Sequence, residues 1–226
     1  MVEFGIHPSD ELVQLFREKP YQGQNPYNAK IIFLSSDANY SPEISNHPFF
    51  DYILEYQNNG IEFWEKHECH HPFLLPDYPF DKRKNGRPFH KNFSELGLTK
   101  DMGKDISFIE LLDIPTVGNK SQNISLFYNL ITEKHMKNID ELILNTNGKL
   151  IFVSQGVLKN LFNIKKTKKQ YNVLNWLDFN PSSKQCYSQF ISGNEIHEIY
   201  HFSSPQIHNQ ISKIKTEIHN WLKEFK

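Results

Sequence analysis

Three short stretches of this chain carry the side chains best suited to chemistry. They are Ser35-Ser36-Asp37-Ala38-Asn39-Tyr40, the acid Glu110 within an apolar run, and His201-Phe202-Ser203-Ser204. Asp37 is the single acid in Lys30 to Pro42, KIIFLSSDANYSP, where an apolar run gives way abruptly to small and polar residues. Glu110 stands among Phe108, Ile109, Leu111 and Leu112. A carboxylate there is costly to bury unless it is paired or functional. Histidine changes charge near neutral pH and serves as acid or electrophile, which marks His201. Read singly, each has a plainer meaning: Asp37 and Asn39 fit a turn that closes a strand, His201 a hydrogen-bonded strand end, and Ser203 with Ser204 a helix cap.

Strands and helices must bring these residues together. Ile31, Ile32, Phe33 and Leu34 are apolar without alternation, the pattern of a strand buried on both faces of a parallel sheet. Asp37 then lies just past the carboxyl end of that strand, where open α/β sheets place their ligands. Asp105 to Pro115, DISFIELLDIP, reads as a second such strand running into a polar turn, Thr116 to Asn119. If it stops early, Glu110 stands at its mouth and faces the same cleft as Asp37. Lys149 to Ser154 is a third strand, and Glu195 to Ile199 leads into the last, which delivers His201, Ser203 and Ser204 to the sheet edge. Helical periodicity covers Ser9 to Arg17, Phe49 to Tyr56, Ile139 to Leu144 and Val157 to Phe162, and a final helix carries Ile207, Ile211, Ile214, Ile218 and Leu222 at three- and four-residue steps. The alternation predicts an α/β fold, a three-layer αβα sandwich with a central, mostly parallel sheet. It is expected to form a single domain over 1–226 with an irregular insertion around 61–98.

Charge and composition narrow the function classes. A formal net charge of −1 and a pI near 6.8 give the whole molecule no electrostatic signature of nucleic-acid binding, so any such contact needs a local basic surface. Lys82, Arg83 and Arg87 beside Phe80 and Phe89 supply one, in a Gly- and Pro-punctuated loop suited to gripping a phosphate backbone. His67, Cys69, His70, His71 and His90 invite a metal, but the two-residue steps from His67 to Cys69 to His71 suit neither common zinc template. These histidines are expected to be solvated or to cap helices, and neither a metal nor a cofactor is expected. Two distant cysteines form neither a disulfide framework nor a zinc ribbon and point to a reducing setting. No segment approaches the ~18 apolar residues of a membrane span. A cytoplasmic monomer that does not contact membranes is the expectation.

Taken together, the motifs resemble the uracil-DNA glycosylase superfamily. Its best-known branch reads GQDPYH at the first strand end and HPSP at the last, where this chain has Ser35-Ser36-Asp37-Ala38-Asn39-Tyr40 and His201-Phe202-Ser203-Ser204. FIELLDIPTVG resembles the middle strand that opens with a base-reading Asn, and KLIFVSQG has a counterpart between the motifs, so the likeness runs from about Lys30 to Lys215. The resemblance implies a glycosylase fold and hydrolysis of an N-glycosidic bond in DNA repair. By the same resemblance, Asp37 positions water, His201 stabilises the departing base, and Ser203 with nearby backbone holds a phosphate. Tyr40 or Phe49 would stack on the flipped base, and Ser36, Asn39, Glu110 and Ser204 would complete the substrate contacts. Glu110 replaces the base-reading amide, and an ionised Glu offers only acceptors, so a damaged or deaminated base other than ordinary uracil is the expected substrate. Two cysteines exclude the branches with a four-cysteine iron–sulfur cluster. A catalytically silent nucleotide- or nucleic-acid-binding module is the alternative. A hydrolase pairing Ser35 or Ser36 with His201 is a third option, though the GxSxG elbow is absent.

Overall fold

A computed structural model describes residues 2–224. The chain opens with strand β1 (Gly5–Ile6) and helix α1 (Asp10–Glu18), whose first turn is capped by the Ser9 hydroxyl accepting from the Leu12 N–H. Strand β2 (Gln22–Gly23) precedes the long apolar strand β3 (Ile31–Ser35). Helices α2 (Phe50–Asn58) and α3 (Gly60–His67) follow, then α4 (Arg87–Ser94). Asn59 ends α2 and caps α3 through its side chain, which accepts from the Glu62 N–H. Strand β4 (Ile106–Glu110) leads through the short β5 (Thr116–Val117) to α5 (Ile124–Leu130) and α6 (Glu133–Asn145). The chain finishes with β6 (Leu150–Ser154), α7 (Gln155–Thr167), β7 (Ser188–Ile191), β8 (Asn194–Ile199) and α8 (Ile211–Glu224).

The central sheet runs in the order β2-β4-β3-β6-β8-β7, with β4, β3, β6 and β8 mutually parallel and an antiparallel strand at each edge. Both faces are covered. Ile32, Leu34, Ile109, Ile151 and Val153 point into one apolar cluster with Phe127 of α5, Met136 and Ile139 of α6 and Leu161 of α7. Ile31, Phe33, Phe108, Leu150 and Phe152 point into the other, with Trp64 of α3, Phe93 of α4 and Ile214 and Ile218 of α8. This period-two division explains the continuous apolar runs of β3, β4 and β6, whose apolar residues are covered on one side or the other. The expected α/β class, with a mostly parallel sheet between helices, is what the chain forms.

Several local expectations change. Residues 61–98 are not wholly irregular: most of α3, a 3₁₀ turn at Pro72–Leu74 and α4 lie within them. Their apolar side chains, among them Phe63, Phe73 and Tyr78, pack with α1 and α2 in a third cluster. The second strand ends at Glu110, five residues before Pro115, because the chain turns there to bring Thr116 beside the β3 exit. Helix α6 starts at Glu133, earlier than its apolar periodicity indicated, since the Thr132 hydroxyl caps it by accepting from the His135 N–H.

Candidate active site

Strand β3 holds the centre of the sheet, and the chain leaves it for β4 on one side while β6 leads to β8 on the other. Connections that diverge in this way open a crevice beyond the carboxyl ends of the strands. Here it is a cleft of about 1090 Å³ walled by Ser35, Asp37, Glu110, Lys120, His71 and His201, among others.

The β3 exit is stitched to the β5 region by backbone bonds, Thr116 N–H to the Ala38 carbonyl at 2.8 Å and Tyr40 N–H to the Thr116 carbonyl at 3.0 Å. Side chains complete the link. Asn39 Nδ2 donates to the Gly118 carbonyl at 2.6 Å and to Thr116 Oγ1 at 3.3 Å, and Thr116 Oγ1 in turn donates to Asp37 Oδ2 at 2.7 Å. Gly118 has φ +71, and a Cβ there would lie 2.6 Å from the Glu3 carbonyl oxygen, so only glycine fits this turn. Asp37 is therefore aimed by a fixed donor. Burial pushes its pKa up, partly offset by the Thr116 hydroxyl and the charge of Lys120. Lys120 Nζ donates to Ser36 Oγ, which also accepts from Asn160 Nδ2 at 3.2 Å.

Glu110 sits on β4 in register with Ser35 and is only 6% exposed. Burial, then the negative charge of Asp37, raises its pKa to about 8. Its Oε2 is buried in the cleft wall with no hydrogen-bond partner among the described residues. Such an oxygen is expensive to leave alone in a finished interior. At neutral pH Glu110 is protonated, with one O–H donor and one carbonyl acceptor. The acceptor-only property expected of an ionised Glu does not hold in the folded chain.

The same cleft has an aromatic wall, which includes His71, Phe73 and His90. His71 and His90 lie with ring centroids 3.6 Å apart and planes 12° from parallel, and His70 Nε2 meets His90 Nδ1 at 3.2 Å. Burial drives all three imidazoles below their usual pKa, His70 to about 3, with mutual repulsion adding to the effect at His71 and His90. They are uncharged rings packed among Phe73, Phe93 and Phe108, which corrects the expectation of solvated loop histidines. His71 does cap the turn at Pro72–Leu74, its Nδ1 accepting from the Phe73 N–H at 3.2 Å.

His201 stands at the end of the last parallel strand, its ring 5.5 Å from that of Phe89. Its Nδ1 accepts from the Ser203 N–H at 3.1 Å. That bond fixes the tautomer with the proton on Nε2. His201 is exposed at the surface, and desolvation on its cleft side together with the nearby Lys120 lowers its pKa, which favours the uncharged donor at neutral pH.

Of the residues singled out from the sequence, Ser36, Asp37, Asn39, Tyr40, Glu110, His201, Ser203 and Arg83 all line this cleft. Tyr40 is nearly inaccessible, its hydroxyl accepting from Gln22 Nε2 at 2.9 Å, so it backs the wall and offers no free stacking face. Phe49 is not brought to the site; it is buried with Tyr52 and Tyr78. Ser204 caps the turn at Pro205–Asn209 by accepting from the Gln206 N–H. Lys82 and Arg87 are not part of the cleft lining, and Arg83, at the rim, pairs with Asp81. Lys120 and Asn160 are not among the residues the sequence singles out, Thr116 stands there only as the start of a turn, and His71 and His90 only as solvated or capping histidines. A polar turn after an apolar strand was the available signal for Thr116 and Lys120; Asn160, on a helix face, gave none.

Compared with protein-family models, curated proteins and solved structures, the chain matches none of them. No helix among the described residues is long and apolar enough to cross a membrane.

Proposed function

We propose that the chain is a DNA N-glycosylase, akin to the uracil-DNA glycosylase superfamily, acting on a deaminated or damaged base. The observation that carries this reading is the convergence of Asp37, Glu110 and His201 on one cleft at the carboxyl ends of the parallel strands. A nucleotide flipped into it would place its base between the neutral imidazole wall and Glu110. Asp37, oriented by Thr116, takes a proton from water as the water oxygen bonds to C1′ and the bond from C1′ to the base nitrogen breaks. The base leaves with the bonding electrons, and its developing anion accepts a hydrogen bond from His201 Nε2–H. Protonated Glu110 suits a base edge that sets a carbonyl beside a ring N–H, the pattern of hypoxanthine, xanthine and uracil alike. An ionised Glu110 disfavours uracil and a protonated one admits it, so uracil belongs among the substrates to be tested.

The decisive assay offers duplex and single-stranded oligonucleotides carrying uracil, hypoxanthine, xanthine or an alkylated base, followed by alkaline cleavage of abasic sites. Scission at a base with the carbonyl and N–H edge supports the reading, and no scission at enzyme excess ends it. One observation favours a silent binding module instead. The cation Lys120 is close enough to oppose the charge of Asp37, which would weaken stabilisation of a positively charged transition state. Salt-dependent oligonucleotide binding without scission would select that alternative.

A further inference from the structure

Lys120 has no part in the proposed hydrolysis, yet it lines the same cleft as Asp37, Glu110 and His201. Its side chain follows the turn at Gly118 and Asn119 into the cleft, with Nζ 5.1 Å from the Phe127 ring centroid. Among the described residues its ammonium forms no salt bridge; its hydrogen bond goes to the Ser36 hydroxyl, which Asn160 holds from the other side. It lies near enough to Asp37 and to His201 for its charge to act on both. Those are the two groups assigned to opposite sides of the scissile bond. A lysine kept for surface charge would extend into water or pair with a carboxylate. This one is turned into the cleft, onto the Ser36 hydroxyl.

We propose that Lys120 gives the cleft a second activity, forming an imine with the aldehyde of an abasic deoxyribose and cleaving the strand by β-elimination. The proposal rests on the reading that the cleft admits a DNA nucleotide. The Lys120 nitrogen lone pair bonds to C1′ of the ring-opened sugar, and after proton transfer the former carbonyl oxygen leaves as water. The resulting iminium is an electron sink. Asp37, the adjacent carboxylate, takes a C2′ proton, the C–H pair moves into the new double bond, and the C3′–O bond breaks with its electrons departing on the phosphate. Water then hydrolyses the imine, restores the amine and releases the unsaturated aldehyde. Burial supports this role, since it lowers the pKa of Lys120 against the opposing pull of Asp37 and enlarges the share of free amine. No external oxidant, reductant or metal enters the balance.

The test uses the full chain and a duplex carrying one preformed abasic site, so it does not depend on base excision. With sodium cyanoborohydride, the wild-type protein should become covalently joined to the DNA, and peptide mapping should place the link on Lys120. Without the reductant, the nicked strand should carry the unsaturated aldehyde end. Lys120→Arg keeps the positive charge but cannot form the imine, and should lose the adduct; its melting temperature reports whether it folds. Lys159→Ala, at an exposed position outside the cleft, should keep the adduct. No wild-type adduct, an adduct mapped to another lysine, or undiminished trapping by Lys120→Arg would overturn the proposal. Base excision with no trapping removes the imine activity and leaves the glycosylase reading standing. Trapping at Lys120 with no excision of any base keeps the imine activity and removes the glycosylase reading.

Discussion

In one part of the cleft lining Asp37, Glu110 and Lys120 come together with hydroxyl and amide partners; in another His71 and His90 stack on each other, backed by His70 among phenylalanines. Both walls withdraw ionisable groups from water, which works against charge on either side. The partners make the difference. Asp37 receives a hydrogen bond from Thr116 and the field of Lys120, both of which favour its ionised form, whereas around His70, His71 and His90 burial and mutual repulsion act only against charge. Glu110 falls between the two cases, sharing the acid wall but lacking a donor for Oε2. Where the fold supplies donors the effect of burial on charge is opposed, and where it does not a flat neutral surface forms.

The comparison breaks most sharply at Asp37. Asp37→Asn keeps the shape and can still accept from Thr116, but it removes the base, so single-turnover excision should fall by roughly 10²- to 10⁴-fold. An Asn variant that excises at the wild-type rate would show that the acid wall is scaffolding.

Glu110 tests what burial without a partner does. The folded chain holds its proton up to about pH 8, against an ordinary value of 4.5. Its stabilising contribution is therefore full below pH 4.5 and is lost as pH rises through 8. Glu110→Gln is neutral throughout, so it should exceed the wild type in stability by on the order of 3 kcal/mol at pH 7, and the gap should vanish in acid. Urea unfolding at pH 4, 7 and 9 measures it. In excision assays the same variant should keep activity above pH 8, where the wild type declines. Parallel pH profiles for the two proteins would remove Glu110 from the list of neutral readers.

For the imidazole wall the sign reverses. The unfolded chain takes up protons below pH 6.5, while His70 refuses them down to about pH 3. Stability is present above pH 6.5 and is lost as the solution is acidified. Replacing His70 by Gln should make that loss shallower by ~1 kcal/mol per pH unit, read from thermal melts between pH 4 and 6.5. An unchanged acid limb would mean that the wall is not kept neutral as described.

The rim should give the smallest effect. Arg83→Ala removes an exposed cation whose present partner is Asp81, and should weaken oligonucleotide binding uniformly while lowering the salt dependence by about one ion. Lys82→Ala, outside the cleft lining, should do less. Equal effects would place the strand along the whole loop.

The sequence by itself determined the parallel strands and their order of polar exits. Three apolar runs without alternation, Ile31 to Leu34, Ile106 to Leu112 and Leu150 to Val153, are the pattern of strands covered on both faces, and each gives way to polar residues, while the fourth parallel strand, Asn194–Ile199, is half polar. Asp37, Glu110 and His201 were legible because they stand at those ends. Phe49 was misplaced because an aromatic ring looks the same in sequence whether it stacks on a ligand or fills a core. Only the tertiary structure decided the charge states. Glu110 becomes a neutral acid, the histidines become a neutral platform, and Lys120 enters the site through groups far apart in the chain: Asp37, Thr116, Asn160 and His201. Protonation depends on local solvation and on neighbours in space, and a linear pattern carries neither.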